Sequence, residues 1–254
     1  MYKQKLIVCI KRIYDFFDDD TFYYAASLSF FTIFSILPIL ALIIAIMSTY
    51  DIFLSQIQMF LFYVLDFINP THSEEVVLFI EKFLVNIDKL GTLGLFYLLF
   101  VFTMFFKDYE NIISRIHGTQ NRSFFAMIIL YINFILLIPL VLFLFTISAA
   151  FFENEYLMGI FDFFLGGVFL TYIFMISINK QIVFKAAFYS ALLTLVVLKL
   201  TKMLFWYYIL YSTTYSTIYG TLSGLVFMFL WIYISWTIYL YGIKICHKLN
   251  IEYS

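Results

Sequence analysis

Thirty consecutive residues between Asp20 and Asp51 carry no charged side chain, and a second uncharged run of thirty separates Arg122 from Glu153. A helix needs about 20 apolar residues to cross the hydrocarbon core of a bilayer. Hydrocarbon offers no partner to a bare backbone amide, so each run has to close its hydrogen bonds internally, as a helix. No water-soluble domain of 254 residues needs two such segments. The class that follows is an all-α, polytopic membrane protein. Composition agrees, with 64% hydrophobic and 12% charged residues where soluble domains carry roughly 25% charged. No stretch is polar enough to fold apart, so residues 1–254 read as a single membrane domain. The 34 Phe and 21 Tyr are read as lipid-facing surface rather than an aromatic binding box.

Six spans are expected, at about residues 22–49, 91–108, 124–151, 158–178, 186–210 and 217–245. The second is bounded by Lys89 and Lys107, which leave 17 uncharged residues between them; lysines at such ends reach the headgroups along their alkyl stems. Basic residues alternate between the two sides of this arrangement. Lys3, Lys5, Lys11 and Arg12 precede the first span, Lys107, Arg115 and Arg122 follow the second, Lys180 and Lys185 follow the fourth, and Lys244 and Lys248 follow the sixth. The opposite side holds Lys82 and Lys89. Eleven against two, under the positive-inside rule, puts both termini in the cytoplasm.

The N-terminal segment shows no cleavable signal peptide, because the apolar run after it is too long and lacks a small-residue cleavage site. Residues 1–21 are instead expected to hold a cytoplasmic interfacial helix. Leu6, Ile10, Ile13 and Phe17 form its apolar stripe, with basic residues mostly off it. Asp18, Asp19, Asp20 and Thr21 offer an N-cap for the first span, where negative charge suits the helix's positive end. Residues 50–90 are expected to form an external amphipathic helical pair. One stripe is Phe53, Ile57, Phe60, Val64 and Ile68; the second follows the capping-box pattern Thr71-His72-Ser73-Glu74 with Val76, Ile80, Phe83, Ile87 and Leu90. The pair serves either as packing helices or as a cover that gates a substrate.

One polar feature breaks the apolar pattern. Lys199 and Lys202 share a face of the fifth span. At about 1.5 Å per residue Lys202 lies some 24 Å from Ala186, in the outer half of the bilayer. Ionisable groups at such depth are costly and tend to face a cavity, a partner or the bundle interior. Lys199, Lys202 and the counter-ion candidate Asp162 therefore form the candidate ligand site, a cationic pocket for an anionic headgroup or solute; Glu153 and Glu155 are alternative counter-ions. The plainer reading is that both lysines snorkel or pair for structure alone.

Other features read as packing. Gly220 and Gly224 form a Gly-x-x-x-Gly pair that permits close helix contact, within the bundle or between copies. Pro38 and Pro139 fall inside the first and third spans, where each frees a backbone carbonyl or permits a kink. Cys9 and Cys246 lie on the expected cytoplasmic side and read as reduced thiols. Catalytic constellations are missing from the sequence. His72 is expected outside and His117 and His247 inside, so the three cannot share a metal, and no His-Glu-x-x-His or Walker A motif occurs. A potassium-filter signature and a basic patch with aromatic platforms are likewise missing. The chain is thus expected to be no enzyme, to hold no cofactor and to bind no nucleic acid; its partners are membrane lipids and other envelope proteins.

Three blocks resemble the YihY/BrkB family of bacterial inner-membrane proteins. They are Tyr24-Ala25-Ala26-Ser27-Leu28-Ser29-Phe30-Phe31-Thr32 running to Ser35-Ile36-Leu37-Pro38, the segment from Gly94 to Asn121-Arg122-Ser123-Phe124, and Lys202 to Gly242 with Tyr219-Gly220 and Leu230-Trp231-Ile232-Tyr233-Ile234-Ser235-Trp236. The resemblance covers nearly the whole chain, which departs from the pattern in its short tail and its wealth of Phe and Tyr. It implies a multi-pass protein of the bacterial inner membrane, and it matches Lys202 to a lysine in the family's fifth span. Members have carried ribonuclease BN and serum-resistance labels, and the first finds no support in these residues. Two functions are expected: transport or presentation of a lipid or other amphipathic anion through an outward-facing polar cleft, or a structural, scaffolding role in the envelope. An RNA-processing enzyme stands third.

Overall fold

The computed structural model describes residues 20–48, 61, 64–65, 68, 74–85, 91–151, 154–211 and 222–253. All regular structure among them is helical: α1 (Thr21–Ser48), α2 (Glu74–Val85), α3 (Gly91–His117), α4 (Phe124–Phe151), α5 (Glu155–Ser177), α6 (Phe184–Tyr211) and α7 (Ser223–Tyr253). Among the described residues α5, α6 and α7 contain segments long and apolar enough to cross a membrane. The two uncharged runs become α1 and α4, of 28 residues each, and both helices continue unbroken through Pro38 and Pro139. The expected interfacial helix at residues 1–17, Asp18, Asp19 and Gly220 lie outside the described residues.

Two helices outrun the spans read from the sequence. α3 continues nine residues beyond 108 to His117, and α7 continues eight beyond 245 to Tyr253. Charge ends the apolar run in each case without ending the helix, because the backbone ladder continues wherever polar side chains find partners. α3 ends where Gly118 adopts φ 60°. The Gly118 amide donates to the Arg115 carbonyl at 3.3 Å and the Thr119 amide to the Ser114 carbonyl at 2.9 Å, closing the helix end. Asn154 starts α5 by accepting from the Tyr156 amide at 2.9 Å. Asn250, near the end of α7, accepts from the Val183 amide at 2.7 Å, so α7 supplies a cap to the start of α6.

α7 is the hub of the bundle, packing against α6, α1, α3 and α2. α6 lies between α7 and α5, α4 packs on α5, and α3 packs on α1. Between α3 and α4 aromatic rings fill the gap, with Phe106 4.4 Å from Tyr131 and 5.7 Å from Phe134, centroid to centroid. The main core joins Ala25, Leu28, Ile113, Phe174, Ala187, Ala191, Leu240 and Ile243 from five helices. A second cluster, at the end where α1 finishes, joins Leu40, Val76, Ile80, Met228 and Ile232. α2 is thus held on the bundle by Val76 and Ile80, two residues of its expected apolar stripe. Of the companion stripe Ile68 is buried in the same cluster, with Leu61, Val64 and Leu65 packed on it; Phe53, Ile57 and Phe60 lie outside the described residues.

Close approach of α6 and α7 depends on small residues. A Cβ at Gly242 would collide with the Thr194 hydroxyl and come within 3.0 Å of the Phe174 ring. Ala187 and Ala191 are fully buried on α6. Gly224, the described member of the Gly-x-x-x-Gly pair, is buried at the start of α7.

Candidate functional site

α5 and α6 run antiparallel, and their spacing is set by two glycines. A Cβ at Gly167 would lie 3.1 Å from Leu192, and one at Gly166 would lie 3.5 Å from Leu195, so the helices nearly touch there. One turn nearer the start of α5 the same seam brings Phe163 against Lys199, whose Nζ lies 5.0 Å from the ring centroid. That distance permits a cation–π attraction, which strengthens away from water. Gly159, Phe163 and Gly166 fall on one α5 face by their spacing of four and three. A Cβ at Gly159 meets nothing within 4 Å. The two helices are therefore closely packed at Gly166 and Gly167, while Gly159 is exposed with open space beside it.

Lys199 is exposed, whereas Lys202 and Asp162 are half-buried. Of the three residues chosen from the sequence, Lys199 lies on this seam against Phe163; Asp162 precedes Phe163 on α5, and Lys202 follows Lys199 by three residues on α6. Around them the surface is apolar, with Leu157, Ile160, Leu200, Met203 and Leu204 all exposed. A cation held at an apolar, membrane-facing surface suits a ligand with an anionic head and an apolar body.

The opposite end of the bundle, where α1, α4 and α6 begin and α3, α5 and α7 finish, carries the polar contacts. Glu110 of α3 pairs with Arg122, Nη1 to Oε2 at 2.8 Å, and also accepts from the Arg122 amide at 3.1 Å. The same guanidinium donates to the carbonyls of Ser177 at 3.0 Å and Ile176 at 2.6 Å, the last turn of α5. A cation there meets the negative end of the helix. Tyr109 shares its hydroxyl with Ser177 at 2.6 Å and with Tyr239. Ser27 of α1 donates to Asp108 of α3 at 2.5 Å, and the Trp236 indole donates to Thr32 at 2.8 Å. Sequence reasoning counted Arg122 only as a topological charge and missed Glu110; the available signal was a carboxylate twelve residues ahead of an arginine in one helix–loop segment.

His117 and His247, expected on the same side, are in contact, with their Nδ1 atoms 3.1 Å apart. One ring donates and the other accepts, which requires at least one neutral imidazole. Burial, then the neighbouring His247 and Lys180, pushes the His117 pKa down to about 3. No group of three His, Cys, Asp or Glu poised to hold a metal occurs among the described residues.

A helical bundle with apolar residues such as Phe125 and Leu204 spread over its outside, and most of its described basic residues at one end, is the build of a helical membrane protein. Residues 13–252 match the family model described as virulence factor BrkB, and the chain belongs to that family. Its relatives include a UPF0761 membrane protein of Legionella pneumophila, 22% identical over 95% of this chain and 61% of the relative. Another, from Alteromonas mediterranea, is 27% identical over 86% of this chain and 79% of the relative. A third, from Haemophilus influenzae, is 26% identical over 89% and 88%. The chain spans about three-fifths of the length of the Legionella relatives it matches. These relatives are described as membrane proteins. No solved structure matches the chain.

Proposed function

We propose that this protein moves or presents a lipid or other amphipathic anion at the α5–α6 seam, with Lys199 and Lys202 attracting the anionic head and Asp162 tuning their charge. The observation that carries this reading is the placement of Lys199 against Phe163 on an exposed and otherwise apolar surface of α5 and α6. Because aromatic side chains such as Phe106, Tyr109, Phe134 and Trp236 fill the interior, the ligand's apolar body belongs at the lipid-facing surface rather than in a central pore. In this reading all six long helices span the inner membrane, both termini are cytoplasmic, and α2 sits on the outer face. The eleven-to-two distribution of basic residues supports that orientation. The chain acts without catalysing a reaction.

Proteoliposomes test the reading. The wild type is expected to speed the crossing of an anionic phospholipid relative to protein-free vesicles, and a Lys199→Met/Lys202→Met variant to lose most of that gain. Crossing that is indifferent to both lysines counts against the proposal.

A scaffolding role draws on the packing of α2, which Val76 and Ile80 hold on the bundle, as a surface suited to holding partners. It differs in expecting both lysines to be replaceable without effect.

A further inference from the structure

α4 packs on α5 and meets α3 through Tyr131 and Phe134. A line of residues on its outer side is covered by none of the described helices: Ile129, Asn133, Leu136 and Leu140 are all exposed. Their spacings of four, three and four are those of the a and d positions in a two-stranded coil. Asn133 is the polar member of that line. At about 1.5 Å per residue it lies some 13 Å along the axis from Phe124, well inside an apolar helix. The Tyr172 hydroxyl of α5 donates to its Oδ1 at 3.0 Å. That bond orients the amide and leaves one Oδ1 lone pair and both Nδ2 hydrogens without a partner among the described residues. With α4 spanning the bilayer, hydrocarbon supplies none, and an asparagine in a span finds its bonds across a helix contact.

We infer that this face of α4 is the contact between two copies of the chain, with Asn133 paired to its twin across a twofold axis. An axis along the membrane normal sets each residue opposite its own copy at the same depth, so the amide meets an amide where the two lines touch. The pairing is chemically complete, because each Nδ2 donates to the lone pair that Tyr172 leaves free on the other Oδ1. One asparagine in an otherwise aliphatic seam fixes register and strand number in coiled coils by the same chemistry. Lipid tails would cover Ile129, Leu136 and Leu140 equally well but leave the amide bare. A different protein would have to bring both a donor and an acceptor to that depth, which a second copy does by symmetry. The inference takes from the proposed function only that α4 is a span. Its residues are not those of the α5–α6 seam, and either can fail without the other.

Copper-catalysed disulfide formation in native membranes tests the contact, in the full-length protein with Cys9 and Cys246 replaced by Ala. Ile129→Cys and Leu136→Cys are each expected to give a covalent dimer. Ile128→Cys, exposed on another side of α4, is expected to give none. Photobleaching step counts in liposomes of increasing dilution then measure the dimer's strength without a crosslink. Asn133→Leu is expected to weaken it about threefold to thirtyfold, the range of an interhelical hydrogen bond in lipid. Asn133→Gln, which keeps the amide, retains most of the association. Tyr172→Phe, which removes only the bond within the chain, retains the dimer as well. Asn133 is exposed, so its replacement leaves the core intact, and an unchanged melting temperature checks this. Equal crosslinking at Ile128→Cys and Leu136→Cys overturns the assignment, as does a dimer of unchanged strength in Asn133→Leu. A wild type that is monomeric at every dilution, or a Leu136→Cys adduct to a different protein alone, overturns it too.

Discussion

Glu110 and Arg122 form a 2.8 Å ion pair in which the Glu110 side chain is only 2% exposed. The guanidinium also donates to two carbonyls at the end of α5, so one arginine ties α3, the loop before α4 and α5 together. Removing one partner of a buried pair leaves the other charge stranded, at a cost of about 3–5 kcal/mol. Glu110→Gln and Arg122→Gln should each lower the melting temperature markedly in detergent. Arg122→Lys should rescue little, because an ammonium lacks the planar fork that reaches both carbonyls. A Glu110→Gln protein as stable as the parent contradicts the role given to the pair.

The α6–α7 contact makes a reciprocal prediction. Gly242→Ala drives a methyl into Thr194, and overpacking of this kind costs about 1–3 kcal/mol. Adding Thr194→Ala should recover part of the loss. Thermal unfolding of the two single variants and the double variant, treated as a mutant cycle, measures the coupling. Additive effects rule out a direct clash.

Acid sensitivity follows from the histidine pair. The His117 pKa is near 3 in the folded protein and about 6.5 when unfolded. Above pH 6.5 both states are neutral and the group is silent. As pH falls from about 6.5 toward 3 only the unfolded state takes up a proton, so stability is lost across that window. Melting temperatures between pH 8 and pH 5 should fall less steeply in His117→Asn than in the wild type. Identical slopes contradict the buried, neutral state of His117.

Orientation has a direct test. In a background with Cys9 and Cys246 replaced by Ala, Tyr156→Cys should react with a membrane-impermeant maleimide in intact cells. Glu252→Cys should react only after the cells are opened. Both side chains are exposed, so burial does not confuse the result, and the reverse pattern inverts the proposed topology.

The fold was legible in the sequence where burial in lipid alone dictates structure. α1 and α4 fall within a residue of the expected bounds because thirty uncharged residues leave a helix as their only way to satisfy the backbone. α3 and α7 ran longer than expected because Lys107, Glu110 and Lys244 look like loop charges until their surroundings are known. The stripe of α2 was readable, since Val76 and Ile80 repeat at helical spacing. Lys199 stood out as a cation in an apolar segment, yet Phe163, 36 positions away, has no sequence signal tying it to that lysine. Gly242 and the Glu110–Arg122 and His117–His247 pairs were hidden for the same reason. Each takes its meaning from a residue brought alongside by packing, and a linear pattern carries no record of such pairs.

Photo-crosslinking of an anionic lipid in native-like membranes examines the α5–α6 seam most directly. A phosphatidylglycerol with a photoreactive group near its head should label α5 around residues 157–163 and α6 around residues 199–206, and that labelling should vanish in Lys199→Met/Lys202→Met. Adducts spread evenly around the bundle, or unchanged after both lysines are replaced, contradict an anion-handling seam.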